Sequence, residues 1–332
     1  RFSCSFSSTM MILIMLVSSL TMLISGLMAS CENDLKKVIA LSTLSQLGLM
    51  MGALVLGDQT LVLFHLLVHA LFKALLFMCA GCMIHSLNNC QDIRYMGLLV
   101  NFIPLTSCFF NICNMALCGL PFLSGFYSKD LILEFLSMGS VSFYMWILFY
   151  FSVGVTVVYS MRLLYYTMVK NLGNLFYFCI EDSGHYMLKG MGAMITLVIM
   201  GGSGLSWLMF STPYFICLTL FMKMLVLIII MIGGLIGVLV SKFYLMNWSS
   251  VYYFLSTMFY LSYLSTFGIN FYFLLLSGKY SEKLDQGWSE YYGSQGLFIS
   301  LKMNTLFVYK FFYDNIKLFL TLFLLLMCLL II

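Results

Sequence analysis

The feature that most constrains the fold is a series of long apolar runs without charged residues. Most of them have about the length, roughly 20 residues, that an α-helix needs to cross a bilayer. Of the 332 residues, 62% are hydrophobic and only 8% are charged, which excludes a soluble domain of this size. The runs do not alternate as β-barrel strands would. We therefore predict an all-α, polytopic transmembrane helical bundle with spans at 9–29, 38–57, 60–83, 99–138, 141–167, 190–211, 216–241 and 314–332.

Loop charge indicates how the longest run, 99–138, crosses the membrane. If it crosses once, the basic loops all face one side, and they contain Lys36, Lys37, Arg94, Lys170, Lys189 and Lys242. The opposite loops near 58–60, 139–140 and 212–215 then carry only Asp58. Two crossings would split the basic loops between the two sides. The positive-inside pattern therefore favours a single crossing that is interrupted.

The interruption is visible at residues 119–125, which read GLPFLSG. Pro121 lacks a backbone N–H and the glycines add backbone freedom, so a helix should break here. Non-helical backbone at membrane depth persists only inside protein or beside a wet cavity. Lys129 follows about one turn after the break, with Asp130 beside it. A broken helix with a buried lysine is typical of membrane transporters.

Two histidines and a lysine lie inside the apolar run 60–83. His65, His69 and Lys73 are spaced four residues apart, so a helix places them in one stripe that drifts by about 40° per step. Burying such groups in hydrocarbon costs several kcal/mol unless something solvates them. A single buried histidine is usually a core residue, and a lysine near a helix end often snorkels. Three protonatable groups in register favour a path for protons or cations.

Neither the cysteines nor the net charge indicates a metal site or a nucleic-acid partner. Cys79 and Cys82 form a C-x-x-C pair, but they lie in an apolar run without a second pair. We interpret the 11 cysteines as small hydrophobic residues. The net charge of +4 is small and scattered, so we expect no nucleic-acid binding.

The segment 243–313 allows two arrangements. Residues 243–278 carry no charge, so hydropathy alone permits another span near 250–276. The same stretch is rich in Tyr, Ser and Asn, and mixed charges follow it, which suits a helix lying along the membrane surface. The residues alone leave both arrangements open.

Four strings of residues closely resemble one family, subunit 5 of mitochondrial NADH–ubiquinone oxidoreductase (respiratory complex I), in an arthropod-like form. The strings are NDLKKVIALSTLSQLG at 33–48, NNCQDIR at 88–94, GLPFLSGFYSKD at 119–130 and DQGWSE at 285–290. The resemblance covers essentially the whole chain. It implies an antiporter-like bundle with discontinuous helices, in which a central row of polar residues translocates protons during NADH oxidation.

The resemblance also implies a setting for the chain. The chain would be a multi-pass protein of the mitochondrial inner membrane, with its basic loops on the matrix side. Its partners would be the other membrane-arm subunits of complex I and the lipid bilayer. It would be a subunit of H⁺-translocating NADH:ubiquinone reductase that binds no cofactor itself. NAD, FMN, the iron–sulphur clusters and ubiquinone would belong to the rest of the complex.

The family's motifs assign roles and domains by resemblance. The proton-path residues that carry over are His65, His69, Lys73, Lys129 and Asp130. The implied division is an antiporter-like bundle at 1–243, a lateral in-plane helix at 244–313 and a transmembrane anchor at 314–332. The family's first broken helix would lie upstream of Arg1, so we expect a C-terminal fragment that holds the second half-channel.

Two alternatives stay open at this point. A subunit of a bacterial-type multi-subunit cation/proton antiporter would share the buried row and the broken helix but act without an NADH-oxidising partner. A mainly structural brace along the membrane arm would use the lateral helix and not the row.

Overall fold

The computed structural model describes residues 5–139, 142–171, 181–182, 184–243, 250–313 and 315–331. It divides into two compact units, Arg1–Phe259 and Tyr260–Ile332. Within the described residues the regular secondary structure is helical, apart from one isolated β-bridge between Asp34 and Asp92. The all-α prediction is confirmed.

Three long helices open the first unit, and short loops join them: α1 (Ser8–Cys31), α2 (Leu35–Val55) and α3 (Gln59–Ser86). Loops of this length place successive helices antiparallel and side by side. Asp58 occupies the N-cap of α3, where its carboxylate accepts the Leu61 N–H at 3.4 Å. The cap fixes the start of the helix that carries the predicted row.

The run 99–138 folds into three helices, α4 (Leu99–Phe102), α5 (Pro104–Cys118) and α6 (Ser124–Met138). The predicted interruption is confirmed between α5 and α6. Gly119 ends α5 with a φ of +83°, and its N–H and that of Leu120 bond to the carbonyls of Ala116 and Met115 at 3.1 and 3.3 Å. A further break at Ile103 was not predicted, although the residue before a proline disfavours helical geometry.

The other helices of this unit are α7 (Phe143–Leu164, extended by a π-helical turn at Tyr165–Val169), α8 (His185–Met209), α9 (Leu220–Phe243) and α10 (Ser250–Ser256). α7 packs against α1 and α9, while α3 packs against α2, α5, α6 and α8. α3 is therefore enclosed on several sides, which allows it to bury polar side chains.

Three of the basic loops meet at one end of this bundle, here called the basic end. The Leu35 N–H bonds to the Gln91 carbonyl at 2.9 Å, and the Leu98 N–H bonds to the Lys170 carbonyl at 2.9 Å. The Lys170 ammonium in turn donates to the Arg94 carbonyl at 3.3 Å. These contacts bring the loops after α1, α3 and α7 together, as the loop charges predict.

The opposite end carries Asp58. The Tyr214 hydroxyl, from the loop between α8 and α9, donates to the Asp58 carboxylate at 2.8 Å. Burial is the main cause that raises the pKa of this phenol. Gly139, just after α6, lines a cavity of about 530 Å³ with Val55 and Leu56 at this same end. Since Leu98 lies at the basic end, the chain crosses the bundle once between 99 and 138, which confirms the single interrupted crossing.

A buried arginine ties the basic end together. The Arg162 guanidinium is 6% exposed and donates to the Glu32 carbonyl at 2.6 Å and to the Asn33 side-chain oxygen at 2.8 Å. The Asn33 amide donates to the Tyr252 hydroxyl of α10 at 3.2 Å. Burial raises the pKa of the Glu32 carboxyl, and Lys37 acts in the other direction. Arg162 thus joins α7 to the loop between α1 and α2.

Seven helices among the described residues are long and apolar enough to cross a membrane: Ser8–Cys31, Leu35–Val55, Gln59–Ser86, Phe143–Val169, His185–Met209, Leu220–Lys242 and Leu261–Phe311. The first six agree with predicted spans to within a few residues at each end. Pro104–Cys118 and Ile316–Ile331 are shorter apolar helices. The polytopic character predicted from the apolar runs is confirmed.

The second unit is a succession of helical segments: α11 (Leu261–Tyr263), a π-helical stretch (Leu264–Ile269), α12 (Asn270–Tyr280), a second π-helical stretch (Ser281–Trp288), α13 (Ser289–Tyr292), α14 (Ser294–Tyr313) and α15 (Ile316–Ile331). Considered alone, this unit has no second layer among its described residues that would bury its apolar side chains. The predicted boundary at 243/244 borders residues 244–249, which lie outside the described residues.

Candidate functional site

The three predicted residues of α3 lie in a buried stripe. His65, His69 and Lys73 are 1%, 9% and 4% exposed. The two imidazole rings lie 6.2 Å apart between centroids. His69 also makes an edge-to-face contact with Phe72, at 5.2 Å between ring centroids. The four-residue spacing therefore produces the stripe that it predicts.

Lys73 reaches from α3 into the polar face of α2. Its ammonium donates to the Ser42 hydroxyl and to the Ile39 carbonyl, the latter at 3.4 Å. Ile39 and Ser42 lie one turn apart on α2, and the Ser42 hydroxyl itself donates to the Ile39 carbonyl at 2.7 Å. A carbonyl and a hydroxyl thus replace part of the water that the amine loses on burial.

Lys129 is held in the same manner at the helix break. Its ammonium donates to the Leu117 carbonyl at 3.3 Å and to the Thr156 hydroxyl of α7 at 2.9 Å. Leu117 belongs to the last turn of α5, where carbonyls lose their intrahelical partners and the helix dipole is negative. The break therefore supplies the acceptor. Because Lys129 is 3% exposed, it does not snorkel to a surface.

Ser128 joins the two halves of the site. Its hydroxyl is hydrogen-bonded to His65 Nδ1 at 2.9 Å, and it directly precedes Lys129 on α6. His65 interacts electrostatically with Lys129, and His69 does so with Lys73. The order along the site is Lys73, His69, His65 and Lys129, which we call the buried row. Ser128 was not predicted as a site residue, although its place beside the lysine was an available signal.

Asp130 faces a different set of charges. Consecutive helix residues point about 100° apart, so Asp130 leaves the side of α6 that Lys129 uses. It interacts electrostatically with Glu134, one turn further on, with Lys223 of α9 and, less strongly, with Lys129 itself. The structure thus brings together four of the five predicted residues and places the fifth at their edge. Lys223 thus lies near the carboxyl groups of Asp130 and Glu134, a neighbourhood that its spacing in the sequence did not predict.

The buried row has places for water. His65 Nε2 and His69 Nε2 are buried and have no hydrogen-bond partner within the described part of the chain. Buried polar groups are nearly always bonded, and ordered water is a common partner. Among the described residues, no group of three or more His, Cys, Asp or Glu side chains is arranged to hold a metal ion.

A multi-crossing helical bundle with a broken helix and a buried Lys–His–His–Lys row defines an antiporter-like membrane protein. The family model described as NADH:quinone oxidoreductase/Mrp antiporter, TM matches residues 1–158, and the one described as NADH dehydrogenase subunit 5 C-terminus matches residues 159–332. The chain belongs to the NADH–ubiquinone oxidoreductase chain 5 family.

Individual relatives agree with this assignment. NADH-ubiquinone oxidoreductase chain 5 of Aedes aegypti is 50% identical over 314 residues, covering 92% of this chain and 54% of the relative. The protein of the same name from Locusta migratoria is 45% identical, covering 92% and 55%. The chain therefore spans about half the length of the curated relatives it matches.

A solved structure supports the fold. The Mrp complex from Dietzia sp. DQ12-45-1b contains a chain that matches with a TM-score of 0.52 and 21% identity, over 70% of this chain and 28% of that one. At this identity the match concerns the architecture alone. It agrees with the antiporter-like bundle predicted from the sequence.

Proposed function

We propose that this chain is part of a proton-translocating membrane-arm subunit of NADH:ubiquinone oxidoreductase in the mitochondrial inner membrane. The observation that carries the proposal is the buried row, in which both terminal lysines are solvated by a carbonyl and a hydroxyl. The relatives support the proposal through their shared name, NADH-ubiquinone oxidoreductase chain 5.

The row suits a proton relay. Histidine exchanges protons near neutral pH, and a lysine amine alternates between charged and neutral forms. In our proposal Lys73 accepts a proton from a preceding part of the subunit, and His69 and His65 pass it to Lys129. Asp130, which interacts electrostatically with Lys129, receives the proton next. A charge change at one site alters the proton affinity of the next, which couples the transfers.

The proposal also covers the orientation of the chain in the membrane and its partners. The basic end faces the matrix, as the positive-inside rule favours. The other membrane-arm subunits are the protein partners, and they and the peripheral subunits hold NAD, FMN, the iron–sulphur clusters and ubiquinone. The chain itself contributes no redox centre to the NADH:ubiquinone reductase reaction.

We also propose that 244–313 forms a lateral helix in the membrane plane and that 314–332 forms the final anchor. The length of the helical run in this segment supports the lateral arrangement. The helical run Leu261–Phe311 has 51 residues. At 1.5 Å per residue it would span roughly 75 Å if straight, far more than the ~30 Å hydrocarbon core.

Replacing Lys129 with Met in the full-length chain of the assembled complex tests the relay. We expect proton pumping per NADH oxidised to fall, while electron transfer from NADH to an artificial acceptor continues, because no redox group is touched. Pumping is measured with a pH-sensitive dye in sealed proteoliposomes. Lys36→Met, which removes an exposed lysine, is the matched control. Unchanged pumping in Lys129→Met would refute the proposal.

A cation/proton antiporter subunit is the second candidate, favoured by the architectural match to the Mrp complex. It would use the same row without a redox partner. Purification of the native protein distinguishes the two candidates. Co-purification with NADH:quinone reductase activity supports the first, and an isolated complex that exchanges Na⁺ for H⁺ supports the second.

A further inference from the structure

α2 and α7 enclose buried polar side chains that the proposed relay does not use. The Tyr159 hydroxyl approaches Ser42, Ser45 and Gln46, but within the described residues none of these contacts closes to an ordinary hydrogen bond. Tyr159 and Gln46 are each 1% exposed, and both amide atoms of Gln46 also lack a partner there. Buried polar groups are nearly always hydrogen-bonded, so buried water is the expected partner.

This polar region adjoins the Lys73 end of the row. Ser42, which Tyr159 approaches, is the residue that accepts the Lys73 ammonium. Ser45 lies on the same side of α2 and bonds its hydroxyl to the Ser42 carbonyl at 2.9 Å. The phenol therefore lies beside the anchor of the first lysine.

The same phenol lies near the Lys129 end. Thr156, which accepts the Lys129 ammonium at 2.9 Å, is one turn from Tyr159 on α7. The Cys118 thiol interacts electrostatically with both Tyr159 and Lys129, and it lies 2.8 Å from the Ser160 hydroxyl. Tyr159 is thus situated between the anchors of the two lysines.

Resting on the proposed function, we propose that Tyr159 is a proton-relay residue between Lys73 and Lys129. It forms a hydroxyl branch beside the imidazole branch through His65 and His69. A phenol both accepts and donates a hydrogen bond. Its oxygen takes a proton, through water, from the Lys73 side while its own hydrogen leaves towards Lys129. The phenol stays neutral, Lys73 becomes neutral and Lys129 becomes charged.

Tyr159→Phe in the full-length chain of the assembled complex tests the branch, because it removes only the hydroxyl. We expect protons pumped per NADH oxidised to fall at least about twofold, since a positioned relay group contributes at least this much to a transfer rate. Ser152→Ala is the matched control. It removes another buried α7 hydroxyl, one that donates to the Phe149 carbonyl at 2.7 Å, and it should pump normally.

A double variant separates a relay from a packing role. Because the branches run in parallel, His69→Gln alone should retain part of the flux, whereas His69→Gln with Tyr159→Phe should fall to the level of Lys129→Met. The relay is overturned if Tyr159→Phe pumps like Ser152→Ala, or if the double variant pumps like His69→Gln. If Tyr159→Phe does not assemble, Ser45→Ala replaces it with the same expectations.

The two proposals fail in different ways. Normal pumping by Lys129→Met would remove the translocation function as a whole. Loss of pumping in Lys129→Met together with normal pumping in Tyr159→Phe would remove the hydroxyl branch alone.

Discussion

Ser128 and Lys129 are neighbours in the chain but have different tasks at the site. Ser128 turns to α3 and bonds to His65, whereas Lys129 reaches back to α5 and across to α7. The bond to Ser128 fixes the His65 ring, since one ring nitrogen is then committed and the other is left for the row. The serine is therefore a positioning residue.

Ser128→Ala should slow proton transfer without stopping it. Losing one hydrogen bond of about 1 kcal/mol predicts roughly a fivefold lower flux through the imidazole branch, because His65 then occupies its productive orientation less often. The measurement is dye-reported pumping by the assembled complex. The double variant Ser128→Ala with His65→Gln should pump no less than His65→Gln alone.

The control for this variant lies on the same helix. The Ser137 hydroxyl donates to the Glu134 carbonyl at 2.6 Å and lies away from the row, so Ser137→Ala should pump normally. An equal loss in Ser137→Ala would mean that α6 tolerates no serine replacement. The orienting role of Ser128 would then be abandoned.

The sequence predicts the residue types of the row well and their partners poorly. The four-residue spacing is enough to place His65, His69 and Lys73 on one side of a helix. The acceptors of Lys73 and Lys129 come from α2, α5 and α7, which are distant in the chain. Their hydroxyls and carbonyls also occur throughout these helices, so no local pattern distinguishes the ones that are used.

At the scale of elements, the α5–α6 break depends on a close backbone contact. A Cβ built on Gly125 would lie 1.8 Å from the Ala116 carbonyl oxygen, so the first turn of α6 is packed directly on the last turn of α5. This approach brings Lys129 to the Leu117 carbonyl. A glycine is required here by the contact and not by its backbone angles.

Gly125→Ala should separate the two half-helices. Overpacking of this kind costs about 1–3 kcal/mol, which exceeds the roughly 1 kcal/mol that alanine gains over glycine in a helix. We expect a lower temperature of thermal inactivation and weaker pumping, because the Lys129 contact with Leu117 lengthens. Both are measured on the purified complex.

A second glycine provides the comparison. At Gly204 of α8 an added Cβ meets no described heavy atom within 4 Å, so Gly204→Ala should be neutral or stabilising. A neutral Gly125→Ala would show that α5 and α6 adjust without cost, and the break would then not depend on this contact.

The sequence predicts some features of the helices and misses others. The GLPFLSG string and the loop charges predict the break and the single crossing, because proline chemistry and charge placement are local or additive. The break at Ile103 and the π-helical turn at Tyr165–Val169 were not predicted. The position of Ile103 before Pro104 was a local indication of the break. No comparable sequence pattern indicates the π-helical turn.

At the scale of the whole molecule, the buried row belongs to only one of the two units. The buried row and its partners among the described residues all come from Arg1–Phe259. The second unit presents apolar side chains that its own described residues do not cover. Under the proposed function, lipid or neighbouring subunits would cover these side chains.

Removing the chain after Phe259 should reduce the amount of assembled complex, because the apolar side chains of the second unit are lost as a contact surface for lipid or neighbouring subunits. Pumping per assembled complex should stay near normal. Native gels measure assembly, and pumping is normalised to the bound flavin content. Full assembly with lost pumping would instead assign a coupling role to the second unit.

The orientation of the second unit is also the part that sequence could not decide. Hydropathy is nearly the same for a spanning helix and for one lying at the interface. Only length, neighbours and the membrane itself separate the two states. The buried row could be predicted more fully because its packing lies within one unit.

The lysine anchors have a stereochemical consequence. An ammonium has three hydrogens, and in each lysine one points to a carbonyl and one to a hydroxyl whose own hydrogen is already donated to a backbone carbonyl, Ile39 for Ser42 and Val153 for Thr156. Neither hydroxyl is poised to return a hydrogen to the amine. Each ammonium therefore keeps one hydrogen that neither anchor takes, and the two anchors together fix the direction in which that hydrogen points.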